Sequence, residues 1–96
     1  MDKKDKYANG QPVFTQDGNV RTYFFKTGIV KAKGPLLGDA LHGKWVFYRE
    51  NGMLWQIGNF KANFKHGVWI RYDKIGKIEY EATFSEGKEI SKKVFS

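Results

Sequence analysis

The sequence predicts an all-β fold: an antiparallel β-meander of stacked hairpins with a 24-residue period, laid out as a single elongated, twisted sheet. Three observations predict it. Gly28, Gly52 and Gly76 are 24 residues apart, and so are His42/His66, Gly43/Gly67, Trp45/Trp69 and Tyr48/Tyr72. Turn signals recur at half the period, ending in Gly or Asn where a hairpin loop needs a left-handed residue. Between the signals Val, Ile, Phe, Tyr and Trp alternate, and no long i, i+3, i+4 stripe supports a helix.

The elements follow in order. Residues 1–10, "MDKKDKYANG", read as an N-terminal arm, and residues 11–90 as the repeat domain. That domain opens on a degenerate hairpin around "QDG" (16–18) and then "KTG" (26–28). The strong turns after it are "ENG" (50–52), "KIG" (74–76) and "SEG" (85–87), with weaker ones at "LGD" (37–39) and "KAN" (61–63). Two nine-residue strands and two three-residue loops fill one period. Residues 91–96 read as a basic C-terminal tail.

Three-residue loops fix a register. The loop at 50–52 sets Arg49 opposite Met53, Tyr48 opposite Leu54 and Phe47 opposite Trp55. The loop at 61–63 sets Trp55 opposite Trp69, and the one at 74–76 sets Asp73 opposite Lys77 and Arg71 opposite Glu79. Both of the last pairs are of opposite charge, as a stable hairpin favours. Facing residues then share parity, so the even numbers form one face. Phe14, Val20, Phe24, Val30, Ala32, Leu36, Val46, Tyr48, Leu54, Phe60, Phe64, Ile70, Tyr72, Ile78, Tyr80 and Phe84 are the expected core. Gly34 and Gly58 would face His42 and His66 there, leaving room for the imidazole or a neighbouring aromatic ring.

Composition narrows the function classes. The 96 residues contain no Cys, which excludes a disulfide framework, a thiolate nucleophile and a zinc–thiolate site. No run has the length of a membrane span, and the first ten residues hold no apolar leader core, so a cytoplasmic protein is expected. The net charge of +7 favours acidic partners. The two repeated His have no carboxylate repeating beside them, so no metal site is expected. No Ser has a His beside it in the register, no carboxylate pair shares a cleft, and the glycines are spaced as turns rather than as a phosphate cradle. No enzyme, no cofactor and no small-molecule substrate are expected.

"G-x-x-x-x-x-G-x-[LF]" followed by "H-G-x-W-x-x-Y-x-x-x-G" resembles the bacterial variant of the MORN repeat, a β-hairpin module, over about residues 26–90. The resemblance implies hairpins stacked side by side in one antiparallel sheet. It also implies a binding role, since many bacterial members are described as antitoxins or immunity partners of toxins. The first unit departs from the pattern at "PLLGDAL" (35–41), and the N-terminal segment lacks the motif.

The odd face carries the candidate site. Tyr23, Phe25, Trp45, Phe47, Met53, Trp55, Ile57 and Trp69 fall on it, together with Lys31, Lys33 and Arg49. Residues 19–66 hold eight Lys and Arg against two acids, so the patch reads as aromatic and basic. Trp, Tyr, Phe, Met and Arg are the residue types enriched at interface cores. The reading is a protein-binding face for an acidic partner or for self-association. The alternative is nucleic acid or anionic lipid on the same face. Cover by the N-terminal arm or the tail is the structural possibility to weigh against both.

Overall fold

The structure, a computed structural model, describes residues 6–95. Residues 1–5 of the expected arm and Ser96 of the expected tail lie outside the described residues. The described residues form ten antiparallel strands in one open sheet: β1 (Phe14–Asp17), β2 (Val20–Phe24), β3 (Val30–Leu37), β4 (Ala40–Leu41), β5 (Gly43–Tyr48), β6 (Leu54–Lys61), β7 (Phe64–Lys65), β8 (Gly67–Tyr72), β9 (Ile78–Ser85) and β10 (Lys88–Val94). The order across the sheet is β1-β2-β3-β5-β6-β8-β9-β10, with the short β4 and β7 pairing β3 and β6. There is no helix among the described residues. The molecule measures 44 × 32 × 18 Å, a slab one sheet thick with side chains on both faces.

The turns at 26–28, 50–52 and 74–76 form as expected. At the central one, Gly52 N–H donates to the Arg49 carbonyl and Arg49 N–H to the Met53 carbonyl, both at 2.8 Å, and Gly52 has φ 89°. The same pair of bonds recurs at 25–29 and 73–77. Any side chain at this φ crowds the backbone, a β-branched one most. Gly52→Val should therefore lower stability by about 1–2 kcal/mol. An unchanged urea midpoint would show that the turn tolerates another conformation.

The loops on the opposite edge are shorter than expected. Leu37 pairs Ala40, Lys61 pairs Phe64 and Ser85 pairs Lys88, so only two residues form each tip. At 62–63 both tip residues have positive φ (48° and 74°), the left-handed pair that suits a tight hairpin.

The larger correction concerns register. Tyr48 pairs Leu54 as expected, but Phe47 pairs Gln56, leaving Trp55 as a bulged extra residue. Lys31 is skipped in the same way between Val30 and Ala32, and Glu79 between Ile78 and Tyr80. One extra residue on one strand shifts every pair beyond it. Facing residues beyond the bulges therefore differ in parity. The even-numbered core is replaced by a face drawing odd residues from β2, β5 and β8 and even residues from β3, β6 and β9. Ala32 pairs Tyr23 and Phe47, and Trp69 pairs Ala82. The buried side chains are Ala32, Leu36, Trp45, Trp69 and Ala82, only two of them, Ala32 and Leu36, from the expected set. Phe24, Val30, Val46, Tyr48, Leu54, Ile70, Tyr72 and Ile78, expected on the core face, lie on the opposite face.

Among the described residues, neither the arm nor the tail covers the aromatic face. The arm repeats the glycine turn at Tyr7–Gly10 and runs along the β2 edge, where Phe24 N–H donates to the Val13 carbonyl and the Tyr7 hydroxyl to the Phe24 carbonyl. At the other edge residues 91–94, expected as tail, extend β10.

Candidate functional site

One row of residues crosses the sheet and sets the site's floor: Arg21, Gly34, Trp45, Gly58, Trp69, Ala82 and Lys92, each opposite the next. The Trp45 indole lies flat on Gly34 and the Trp69 indole on Gly58, so closely that a Cβ at either glycine would overlap the ring. Each indole N–H is anchored on the neighbouring strand, Trp45 to the Pro35 carbonyl and Trp69 to the Asn59 carbonyl, both at 2.9 Å. The vacancy left by each repeated glycine is thus filled by tryptophan and not by the histidine expected opposite it. His42 instead receives the Ala62 N–H on Nδ1 at 3.4 Å.

Above this row the rings run on as a continuous aromatic band. Phe47 sits 5.7 Å from Trp69 between ring centroids, Phe60 stands edge-on to Trp69 at 5.0 Å, and Tyr23 is 6.1 Å from Trp45. Cations lie over the band: Arg21 on Phe14 at 4.3 Å, Lys65 on Trp69 at 4.7 Å and Arg71 on Tyr80 at 4.7 Å. Such contacts hold charged heads over rings at little cost in hydration. The Tyr80 hydroxyl also donates to Glu89, and that bond raises its pKa above the usual tyrosine value.

The expected site residues divide into four groups. Trp45 and Trp69 are 1% and 3% exposed and form the core, so they offer nothing to a partner. Lys33 and Ile57 pair Val46 and stand on the opposite face. Tyr23 packs against the core cluster, and Met53 lies at the glycine turn opposite Arg49. Phe25, Lys31, Phe47, Arg49 and Trp55 do come together, along the edge where the glycine turns lie.

There the bulges create relief. Two open hollows flank Trp55, one of about 340 Å³ lined by Phe25, Lys31, Phe47, Tyr48, Arg49 and Glu50, the other of about 580 Å³ lined by Arg71, Asp73, Lys74, Ile75 and Glu79 with Arg49. Trp55 and Arg49 border both, so the two hollows adjoin there, and together they make up the groove around Trp55. Trp55, the unpaired residue of its bulge and so freed from the strict alternation of the strand, is partly buried between the two hollows. The sequence reading missed Asp73, Lys74 and Ile75, the tip of the next turn. The 24-residue spacing from Arg49 to Asp73 was the signal that could have found them.

The groove's charges are not equivalent. Glu79 is held by Arg71 at 3.0 Å, and Asp73 Oδ1 accepts the N–H groups of Ile75 and Lys77. Arg49 reaches across to the Tyr72 carbonyl at 3.0 Å with one nitrogen, while its Nε is buried without a partner among the described residues. Lys31 and Lys74 have no ion-pair partner among the described residues. Two of the three acids lining the groove are thus engaged internally, while Lys31, Arg49 and Lys74 have no carboxylate partner. Elsewhere the basic stretch is less focused than expected, since Lys33 and Lys44 stand on the opposite face. Among the described residues no group of three or more His, Cys, Asp and Glu side chains is placed to hold a metal ion.

An open sheet of hairpins, one glycine turn and one Trp-on-Gly contact per period, defines a β-hairpin repeat protein. The model of the MORN repeat variant matches residues 41–62 and 65–86, which are the β5–β6 and β8–β9 hairpins with their adjoining tips. Two stretches of the chain thus resemble the MORN repeat variant, and residues 26–40 of the expected span are not matched. Neither the curated proteins nor the solved structures gave a match. MORN repeats are a non-catalytic module associated in general with binding.

Proposed function

We propose that the chain is a protein-binding repeat module that captures an acidic segment of a partner protein in the groove around Trp55. One observation carries this reading: a partly buried tryptophan bordering two open hollows and flanked by cations, where Asp73 and Glu79 are already engaged. A partner side chain that is apolar would rest on Trp55, with a neighbouring Asp or Glu meeting Arg49, Lys31 or Lys74. Tryptophan and arginine are the residues that most often dominate binding energy at such a centre. The setting that fits is a cytoplasmic antitoxin or immunity partner whose target presents an acidic surface.

Trp55→Ala is the test. It should fold with a loss of about 1 kcal/mol, as for a partly buried side chain outside the core cluster. Random peptides displayed on phage and panned on the wild-type chain should enrich sequences with Asp or Glu beside a bulky apolar residue, and those peptides should not bind Trp55→Ala. Equal capture by both chains, or no enrichment, would overturn the assignment. Tight binding of single-stranded oligonucleotide or anionic vesicles, falling steeply between about 50 and 200 mM salt, would establish the alternative partner class instead.

A further inference from the structure

The face opposite the groove is apolar, and its pattern is symmetric about β6. Its central row reads Lys33, Val46, Ile57, Ile70 and Glu81 across β3, β5, β6, β8 and β9. Beside it, towards the glycine turns, lie Val30, Tyr48, Leu54, Tyr72 and Ile78 on the same five strands. None of these ten side chains is fully buried, because the sheet has no second layer. Contiguous apolar surface of this kind is rarely left open on a monomer.

The geometry points to a second copy of this chain as the cover, packed face to face about a two-fold axis running along β6. Such an axis reverses the strand order between the copies. Ile57 then meets Ile57 of the other copy, Leu54 meets Leu54, Val46 meets Ile70, Tyr48 meets Tyr72 and Val30 meets Ile78. At the ends of the row Lys33 meets Glu81, twice over. An isologous interface needs a self-complementary patch, and here both the apolar and the charged positions satisfy it. Neither Lys33 nor Glu81 has an ion-pair partner among the described residues. On the row nearer the two-residue tips, Lys44 would lie against Val68, its stem over the valine and its ammonium at the rim.

The slab's broad face, 44 × 32 Å, is large enough for the roughly 800 Å² per partner that a stable interface covers. Sheets packed this way sit about 10 Å apart. Apart from Tyr48, which borders one hollow as well as the proposed interface, the groove around Trp55 would remain open on each outer face, so the assembly would present two grooves pointing away from each other.

Sedimentation equilibrium of the purified chain tests the proposal. A reversible dimer with a dissociation constant at or below about 100 µM is expected. Lys33→Glu and Glu81→Lys should each raise that constant roughly tenfold or more, since each places like charges together at two places. The double variant, with the charges exchanged, should return to within about threefold of wild type. Trp55→Ala should dimerise as wild type does. A wild-type chain monomeric up to about 1 mM would overturn the proposal, as would a double variant that fails to recover. A dimer indifferent to both single reversals would also overturn it, and would place association at the free edges β1 or β10.

Discussion

Trp45→Ala is expected to lower the unfolding free energy by about 3–5 kcal/mol, the usual cost of emptying a buried tryptophan site. The indole is 1% exposed, packs with Ala32 and Leu36, and is surrounded by Tyr23, Leu41, Phe47 and Phe60. Truncation removes those contacts and opens Gly34 beneath the ring. It also removes the hydrogen bond to the Pro35 carbonyl. The sheet has one layer, so no second element can collapse into the space. Against a total of about 5–10 kcal/mol for a domain of this size, the loss is about half of the stability. Urea denaturation followed by far-ultraviolet circular dichroism measures it. A loss below about 1 kcal/mol would mean that the band of rings, and not the individual indole, holds the face together. The contrast with Trp55 is the informative one: two tryptophans ten residues apart, one in the floor and one at the rim.

That contrast was only half visible in the sequence. The period, the strand count per unit and the glycine turns could be read because each is repeated and each has a local cause: a left-handed residue at the turn and alternation on either side. The bulges could not be read from the repeat. Because 24 is even, parity is preserved from unit to unit whatever happens inside one, so a one-residue slip in every hairpin leaves the periodicity intact. The bulged residues beside the glycine turns, Lys31, Trp55 and Glu79, share no chemistry that would mark them. The apparent support from charge pairing also misled. Arg71 and Glu79 do form an ion pair, but across a bulge, with Arg71 opposite Tyr80 in the ladder. A sharper clue lay in Gly34 and Gly58. A glycine inside a strand asks what bulky group needs its space, and only an odd-sum register sets a tryptophan over each.

The ends of the row follow from the same geometry. Counting back 24 from Trp45 gives Arg21, which lies over Phe14, and the far end of the row is Lys92 opposite Ala82. A repeat array has to close its stack with polar groups, since the terminal units have no neighbour to bury against. Here cations do so at both ends, and lysines along β10 also discourage another strand from adding to that edge.

The third unit carries Ala82 where the first two carry Gly34 and Gly58, and the reason leads to the second large effect. Each indole leans back onto the preceding strand, so a glycine is needed only where a tryptophan follows. Ala82 is followed by Lys92. Gly58→Ala should therefore cost about 2–4 kcal/mol: the added methyl overlaps the Trp69 ring, which has to lift, and the bond from its Nε1 to the Asn59 carbonyl breaks. Without the ring the sign should reverse. In a Trp69→Ala background the same substitution should be neutral or stabilising by up to about 1 kcal/mol, because alanine restricts the unfolded chain more than glycine does. Ala82→Gly, with no ring above it, should cost only about 1 kcal/mol. Denaturation of the four chains in the Gly58/Trp69 cycle gives the coupling directly. Additive losses would show that the methyl's cost arises somewhere other than under the indole, and the account of why this glycine repeats would then be wrong.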